Sequence, residues 1–488
     1  MYRPIRTNSN NKTIARALLN CLSIIFLFVF YIVMMVSSGF FFNIPVVAIC
    51  YPIFLYLLYV LIPKINTSVE MPIVVMFFVW PFLMYFVRAM QVDTSTWDYG
   101  TLLEAASDYV LEGSMDTHYF AIYPNNKLWT CVLIAFFKAV IVIFPNADSA
   151  FLFESSTYFS GCIIFVGMLL YYKIVERAFY RVLFLFMCLP VWLFATFAYT
   201  DTAIFLCVCI FISLVKTIEL NRSRWYHYIE LGVLAAIGYK IKPTFIICYI
   251  AFFIIHLIFW GLSKENMTKL SILVMSGAIT FLIVSIISNS IIYISDKEAD
   301  RWGTPATHYF MMGMNSDTNG AWSGEDGSYT ESLETHEDKV KGNLKVYRER
   351  VQALGIKGML KFIFINKLSK TWSDSILHVD VQLARKPIRP SIWQQLFTVD
   401  GKYYNYSLIY SWMYHMTMLI GIFLSGLFTI KESNNNTSFF IRVLQLTILG
   451  LFFFLSIWEC TSRYLFSFVP MLLLVSENGW RKTIEKIR

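Results

Sequence analysis

The chain has 488 residues, of which 57% are hydrophobic and 15% charged, with a formal net charge of +8. A soluble domain carries about 25% charged residues, so this composition, with mean hydropathy at +0.58, excludes an ordinary soluble fold and points to a membrane-embedded one. Its basic residues are scattered over short loops rather than gathered on one face, which argues against a nucleic-acid partner.

Runs of ~20 apolar residues cross a ~30 Å hydrocarbon core as helices, because a helix satisfies its own backbone hydrogen bonds. In chain order, spans are expected near residues 17–40, 46–63, 71–89, 150–172, 179–198, 202–220, 226–241, 243–262, 270–294, 405–430, 440–458 and 464–477. The expected fold is therefore all-α and polytopic, with about 12 transmembrane helices. The first apolar run is too long for a signal peptide and lacks a small-residue cleavage site, so it stays as a span. Five regions follow: N-terminal transmembrane helices (1–89), a first extracytoplasmic loop (90–149), a central bundle (150–294), a large extracytoplasmic loop (295–404) and C-terminal transmembrane helices (405–488).

Basic residues set the orientation. Arg3, Arg6, Lys12 and Arg16 precede the first span, and Arg481, Lys482, Lys486 and Arg488 follow the last. Lys173, Arg177, Arg181, Arg222, Arg224, Lys264 and Lys269 lie in short loops. All are cytoplasmic only if KLWTCVLIAFFKAVIVIFPNAD (127–148) does not cross, so this segment reads as re-entrant or interfacial. Both termini are then expected on the cytoplasmic side of a cell membrane, and the long polar loops 90–126 and 295–404 outside.

The first outside loop opens with an acidic stretch, Val92–Asn126. Within it Asp98 precedes a helical pattern in which Leu102, Leu103, Ala106, Tyr109 and Val110 share one face; Asp98 either caps that helix or acts as a base. In the large loop, MGMNSDTNGAWSGEDGSYTESLETHED suits turns with bound water or ligand. Leu344–Leu354 reads as a charged helix, and Gly358–Trp372 as an interfacial amphipathic helix carrying Lys361, Lys367 and Lys370. DTNGAWSGED lacks calcium-loop spacing. The nine cysteines are nearly all in apolar segments without a CxxC and read as core residues, and no metal-ligand spacing appears among the histidines.

Six segments in order carry a resemblance: STWDYGTLLEAASDYV, HYFAIYPNNKL, FAYTDTAIFL, GYKIKPTFII, PATHYFMMGMNSDTNGAWSGED and WECTSRYLFSFVP. Together they resemble the GT-C glycosyltransferases, membrane enzymes that take sugars from polyprenyl-phosphate donors, and most of all the Gram-positive cell-envelope members. The chain departs from the smaller family pattern by two extra spans before the first outside loop and by the separation of Asp93 from Asp98, which leaves open which is the base.

The resemblance implies an inverting transfer to a glycan or teichoic-acid-type acceptor on the outer face of the lipid bilayer. Asp98 is the expected general base, with Asp93 in reserve. Lys240 and Lys242, two cations placed against the positive-inside tendency, call for a local anion. Arg463, which can grip a phosphate through a fork of parallel hydrogen bonds or pair with Glu459, joins them as a donor-phosphate ligand. Tyr123, Asn125 and Asn126 suit sugar hydroxyls or an ordinary turn. Asp201 either caps its helix or orients an acceptor or metal, and His308 and Trp322 are candidates for the donor site. No cofactor is required, although a divalent cation is compatible. Nucleotide sugars are not expected outside the cell, which favours a lipid-carried donor. The rival reading is a transporter or lipid flippase, which favours internal repeats and mid-membrane charges.

Overall fold

The computed structural model describes residues 9–41, 45–61, 71–94, 97–176, 179–220, 224–431 and 438–487. Among them the chain is helical throughout, with extended pairing confined to the antiparallel bridge between Val92 and Pro387. Among the described residues, eight helices are long and apolar enough to cross a membrane: Ile14–Gly39, Pro124–Ile143, Ser149–Ile174, Thr200–Glu219, Pro243–Trp260, Lys264–Ile291, Tyr404–Ile430 and Phe439–Ile457. The chain is thus an all-helical, polytopic membrane protein.

Some expected spans take other forms. The 46–63 span becomes Pro45–Tyr56 followed by a wider turn over Leu57–Leu61, and its last two residues lie outside the described ones. The 179–198 span is broken into Phe179–Phe186 and Leu189–Phe194, because Pro190 has no N–H for the Phe186 carbonyl four residues back and its ring would clash with it in a continuous helix. Residues 464–477 divide between Arg463–Phe466 and Val469–Ile487.

Side-chain contacts fix which helix ends lie together. Asp201, at the start of Thr200–Glu219, meets Lys242 and Arg463. At the other end of that helix Lys216 meets Glu176 at 2.8 Å, and Glu219 accepts from Ser438 at 2.6 Å. The first helix, Ser9–Phe41, has Leu19 and Ser23 against Arg442 at this second end and Ser37 bonded to Ser373 at 2.9 Å at the first. The last helix runs from the Asp201 end down past Glu477, which pairs with Arg181 at 2.5 Å. Ser9 and Ile487 therefore lie at the end opposite Asp201, together with Lys173, Arg181, Arg224, Lys264 and Lys269. The polar segments 90–126 and 292–403 both lie at the Asp201 end.

Lys127–Ile143, although apolar enough to cross, has both ends at the Asp201 end. Lys127 donates to Asn289 at 3.2 Å, near the close of Lys264–Ile291. Phe144 packs on Phe151, at the opening of Ser149–Ile174, with ring centroids 5.1 Å apart. The helix lies across that end beside Asp98–Leu111, which Ser107 ties to Ser149 at 3.1 Å.

Trp225–Ile241 and Lys264–Ile291 meet through small residues, the usual device where apolar helices gain little from each other's hydrophobicity. A Cβ on Gly232 would lie 2.3 Å from the Leu273 carbonyl oxygen. The opposite face of Lys264–Ile291 exposes Met275, Ile279, Leu282, Ile283 and Ile286, as a lipid-facing helix does.

The large loop folds as a helical lobe. The stretch expected to form turns contains a helix, Gly324–Ser332, which Ser323 caps by accepting from the Asp326 N–H at 3.3 Å. Leu344–Leu354 falls inside His336–Lys361. Lys367, expected at an interface, is buried and donates to the carbonyls of Gly313 and Trp458 at 2.8 and 2.7 Å. Arg350 grips Asp326 through paired bonds of 2.9 and 2.6 Å, and Asn315 donates to the same carboxylate at 3.0 Å. A buried chain runs from the His308 ring to the Thr330 hydroxyl at 2.8 Å and on to Asn343 at 3.0 Å.

Burial holds the His308 imidazole down to about 4, below its unfolded value of ~6.5. The unfolded lobe therefore binds the extra proton, and stability is lost as pH falls from ~6.5 toward 4. Burial works against ionisation of Asp326, but Arg350 and Asn315 hold its carboxyl below the usual range, so a further loss follows below pH ~4. Proteolysis or hydrogen exchange of the lobe is expected to show the first loss in wild type and a flatter profile in His308→Gln. Asp326→Asn, which leaves Arg350 without its anion, is expected to weaken the lobe by about 3 kcal/mol in the same measurement.

Candidate active site

The Asp201 end owes its chemistry to three breaks in helical structure. The first is at Tyr199, whose extended backbone (φ −123°, ψ 170°) opens Thr200–Glu219 without a side-chain cap. Asp201 sits in the first turn but does not cap it; its buried carboxylate turns to the Lys242 ammonium, with which it forms a close ion pair.

The second break is at Lys242. Pro243 follows it, and a residue before proline avoids helical geometry; Lys242 is accordingly extended, at φ −152° and ψ 109°. The break sends its side chain inward to Asp201 and over the Tyr464 ring at 4.6 Å. Lys240, still helical and two residues earlier, points to another face and lies 4.5 Å from the Phe281 ring centre. The expected lysine pair is thus divided: Lys242 belongs to the cluster and Lys240 does not.

The third break, after Phe439–Ile457, brings in Glu459 and Arg463. The Arg463 guanidinium lies 3.7 Å from Asp201 through Nε. Aromatic rings surround it, with Trp97 at 4.9 Å, Tyr199 at 5.5 Å and Tyr464 at 5.9 Å. Its buried Nε has no hydrogen-bond partner, and among the described residues no acceptor meets the rest of the guanidinium, which is 16% exposed. A guanidinium carries five N–H donors. Here Nε is turned to Asp201, and the guanidinium as a whole lies among aromatic rings.

Asp98 lies close by, since the rings flanking Arg463 belong to its preceding residue, Trp97, and to its hydrogen-bond partner, Tyr199. It is the first residue of its helix, the N-cap being Trp97 with no side-chain bond, so capping is not its role. It is partly exposed. The Tyr199 hydroxyl donates to it at a long 3.5 Å. The Asp98 charge is felt by Tyr119, Tyr123, Tyr309, Glu459 and Arg463, which locates it among them. Gly100 makes this approach possible: a Cβ there would lie 1.4 Å from the Thr94 carbonyl oxygen. Asp93 belongs to the bridged segment instead, its N–H donating to Lys386 O at 2.9 Å.

Tyr123 stands at the mouth, where burial, with Asp98 adding to it, pushes its phenol up to about 12. Asn126 is buried and donates to the Tyr119 hydroxyl at 2.7 Å, while Asn125 donates to Asn126 at 3.2 Å. His308 and Trp322 are not brought to the cluster. His308 is committed to its Thr330–Asn343 chain, and Trp322 projects from the lobe, 67% exposed.

Three contributors carry little or no sequence signal. Glu459 is buried and accepts from the Tyr464 hydroxyl at 3.1 Å; burial holds its carboxyl above the usual range, against the pull of Arg463. Asp374 accepts from the Ile376 and Leu377 N–H groups, each at 3.1 Å, and from the Ser462 hydroxyl at 2.6 Å. It thereby fixes the residue before Arg463. Next to it Leu377 and His378 adopt left-handed backbones, at φ 60° and 61°, a conformation unfavourable for either side chain. Burial lowers the His378 imidazole, which faces Asp374, Lys370, Arg463 and Arg385. Glu459 is readable four residues before Arg463, but nothing in SDSILHVD marks Asp374 or His378.

The cluster thus offers a partly exposed carboxylate, a second buried carboxyl, a guanidinium without a hydrogen-bond acceptor among the described residues and a lysine paired with Asp201. Such a set can accept a proton at Asp98 and receive an anion at Arg463. Among the described residues, no three His, Cys, Asp or Glu side chains gather as a metal site.

No curated protein and no solved structure matches the chain. Comparison with known families matches residues 26–484 to one described as conserved hypothetical integral membrane protein, and the chain belongs to that family.

Proposed function

We propose that the chain is an inverting glycosyltransferase of the GT-C type, moving a sugar from a polyprenyl-phosphate donor to a hydroxyl of an envelope glycan or teichoic-acid-type acceptor. The observation that carries this reading is the Arg463 fork, buried among aromatic rings without an acceptor among the described residues, with Asp98 close by. An unmet guanidinium is matched by a phosphate, which accepts paired hydrogen bonds.

In this reading Asp98 takes the proton from the acceptor hydroxyl as its oxygen bonds to the anomeric carbon. The bond from that carbon to the phosphate oxygen breaks on the opposite face, inverting the centre, and polyprenyl phosphate leaves with the electron pair. Arg463 and the nearby Lys242 meet the charge that grows on the leaving oxygen, where fixed cations are worth most. Tyr123 and Asn125 stand where the sugar or acceptor enters, and the 292–403 lobe covers them.

The arrangement of the ends supports an outward-facing site. The basic loops and both terminal helix ends lie opposite the cleft, and basic loops favour the cytoplasmic side. The alternating direction of the long helices, with the shorter and broken ones counted among them, supports the expected ~12 passes. Gathering of the charges at one bundle end, rather than half-way along the helices, supports transfer over transport.

Transfer from a panel of polyprenyl-phosphate sugars to a teichoic-acid-type polymer tests the proposal on protein in lipid. Asp98→Asn is expected to lower the rate by about 10²–10⁴-fold with unchanged thermal stability; near-normal transfer by that variant contradicts the assignment. Arg463→Lys keeps the charge and loses the fork. It is expected to lower transfer about tenfold or more, corresponding to one charge-assisted hydrogen bond of about 1.5 kcal/mol, and an unaltered rate would remove Arg463 from the donor site.

A further inference from the structure

We infer that the protein holds an anionic glycerophospholipid in a groove between Trp225–Ile241, Ile246–Trp260 and Lys264–Ile291, with the lipid phosphate on Lys127 and Lys240. This site is separate from the Arg463 cleft and does not rest on the reading of that cleft.

The groove has a volume of about 510 Å³ and walls that include Ala235, Tyr239, Ile250, Phe253, Gly277 and Phe281. That lies in the ~300–1,000 Å³ range of small-molecule sites. Small residues on facing helices hollow it out, and its lining is apolar, as a hydrocarbon chain requires.

Its end nearest the cleft is cationic. Lys240 follows Tyr239 and lies 4.5 Å from the ring centre of Phe281, both groove residues. Lys127 lies close enough to feel the Lys240 charge and donates to Asn289, eight residues beyond Phe281 on the same helix, at 3.2 Å. Neither ammonium is ion-paired with a carboxylate among the described residues, whereas Lys242 is paired with Asp201. Two neighbouring unpaired cations at the rim of an apolar groove are complementary to a lipid phosphate.

The divergence of Lys240 from Lys242 keeps a phosphate held here away from Arg463. Such a lipid staples the sparsely packed Lys264–Ile291 helix to its neighbours just before the chain enters the lobe over the cleft.

The test is native mass spectrometry of detergent-purified protein titrated with phosphatidylglycerol or phosphatidylcholine. Wild type is expected to retain one phosphatidylglycerol roughly tenfold more tightly than phosphatidylcholine. In Lys127→Gln/Lys240→Gln that preference is expected to vanish. Val274→Trp, at a groove-lining position 54% exposed, leaves the charges alone and is expected to exclude the lipid by filling its place, which keeps the test decisive should the double variant misfold. Equal retention of the two lipids by wild type overturns the inference, as does a preference that survives both Lys127→Gln/Lys240→Gln and Val274→Trp. One-for-one displacement of phosphatidylglycerol by polyprenyl phosphate overturns it too, because the groove would then be a prenyl-chain site.

Discussion

One carboxylate holds the polar end of this protein together. Asp201 draws in Lys242 from the break before Pro243 and Arg463 from the turn before the last helix, joining parts of the chain far apart in sequence. Two cations buried without it would be costly, since breaking a buried pair by removing one partner costs about 3–5 kcal/mol. The sharing is uneven. Lys242 is bonded directly, whereas Arg463 keeps a 3.7 Å ionic contact and gives up none of its hydrogen bonds. The charge of Arg463 is thus offset while its donors stay available, which is what a preorganised anion receptor needs.

A second buried arginine shows the contrast. Arg442, inside Phe439–Ile457 at the far end of the bundle, donates to the carbonyls of Leu19 and Thr429 at 3.4 and 3.3 Å and to the Ser23 hydroxyl. Gln445 and Asn478 extend the network through Ser425, at 3.1 and 2.9 Å. These groups hydrogen-bond one another and clamp four helices. Burial of a charge in a membrane protein is therefore not the informative property by itself. What separates the two ends is that Arg442 donates to three protein acceptors, whereas no acceptor meets Arg463 among the described residues.

Much of this architecture is legible in the sequence, because a membrane span announces itself by length and apolarity alone. The runs at 17–40, 150–172, 202–220, 243–262, 270–294, 405–430 and 440–458 each correspond to a helix long and apolar enough to cross. The broken helix at 179–198 was not legible as broken, since hydropathy does not register the turn that Pro190 imposes. Asp98, Asp201, Lys242 and Arg463 were readable as charges at helix ends. Lys240 looked equivalent to Lys242, and only the backbone break before Pro243 separates them. His308 sat in a conspicuous motif, yet its ring is used up by Thr330. Asp374 and His378 carry no sequence signal because their importance lies in a turn that brings them to Ser462 and Arg463, a contact between distant parts of the chain that no local pattern encodes.

The most direct measurement is a density map of the protein with polyprenyl phosphate bound. The account predicts phosphate oxygens within hydrogen-bond reach of the Arg463 guanidinium, about 2.7–2.9 Å, with Asp98 across the cleft from them. A phosphate lodged elsewhere, with the Arg463 donors still unfilled, would contradict it.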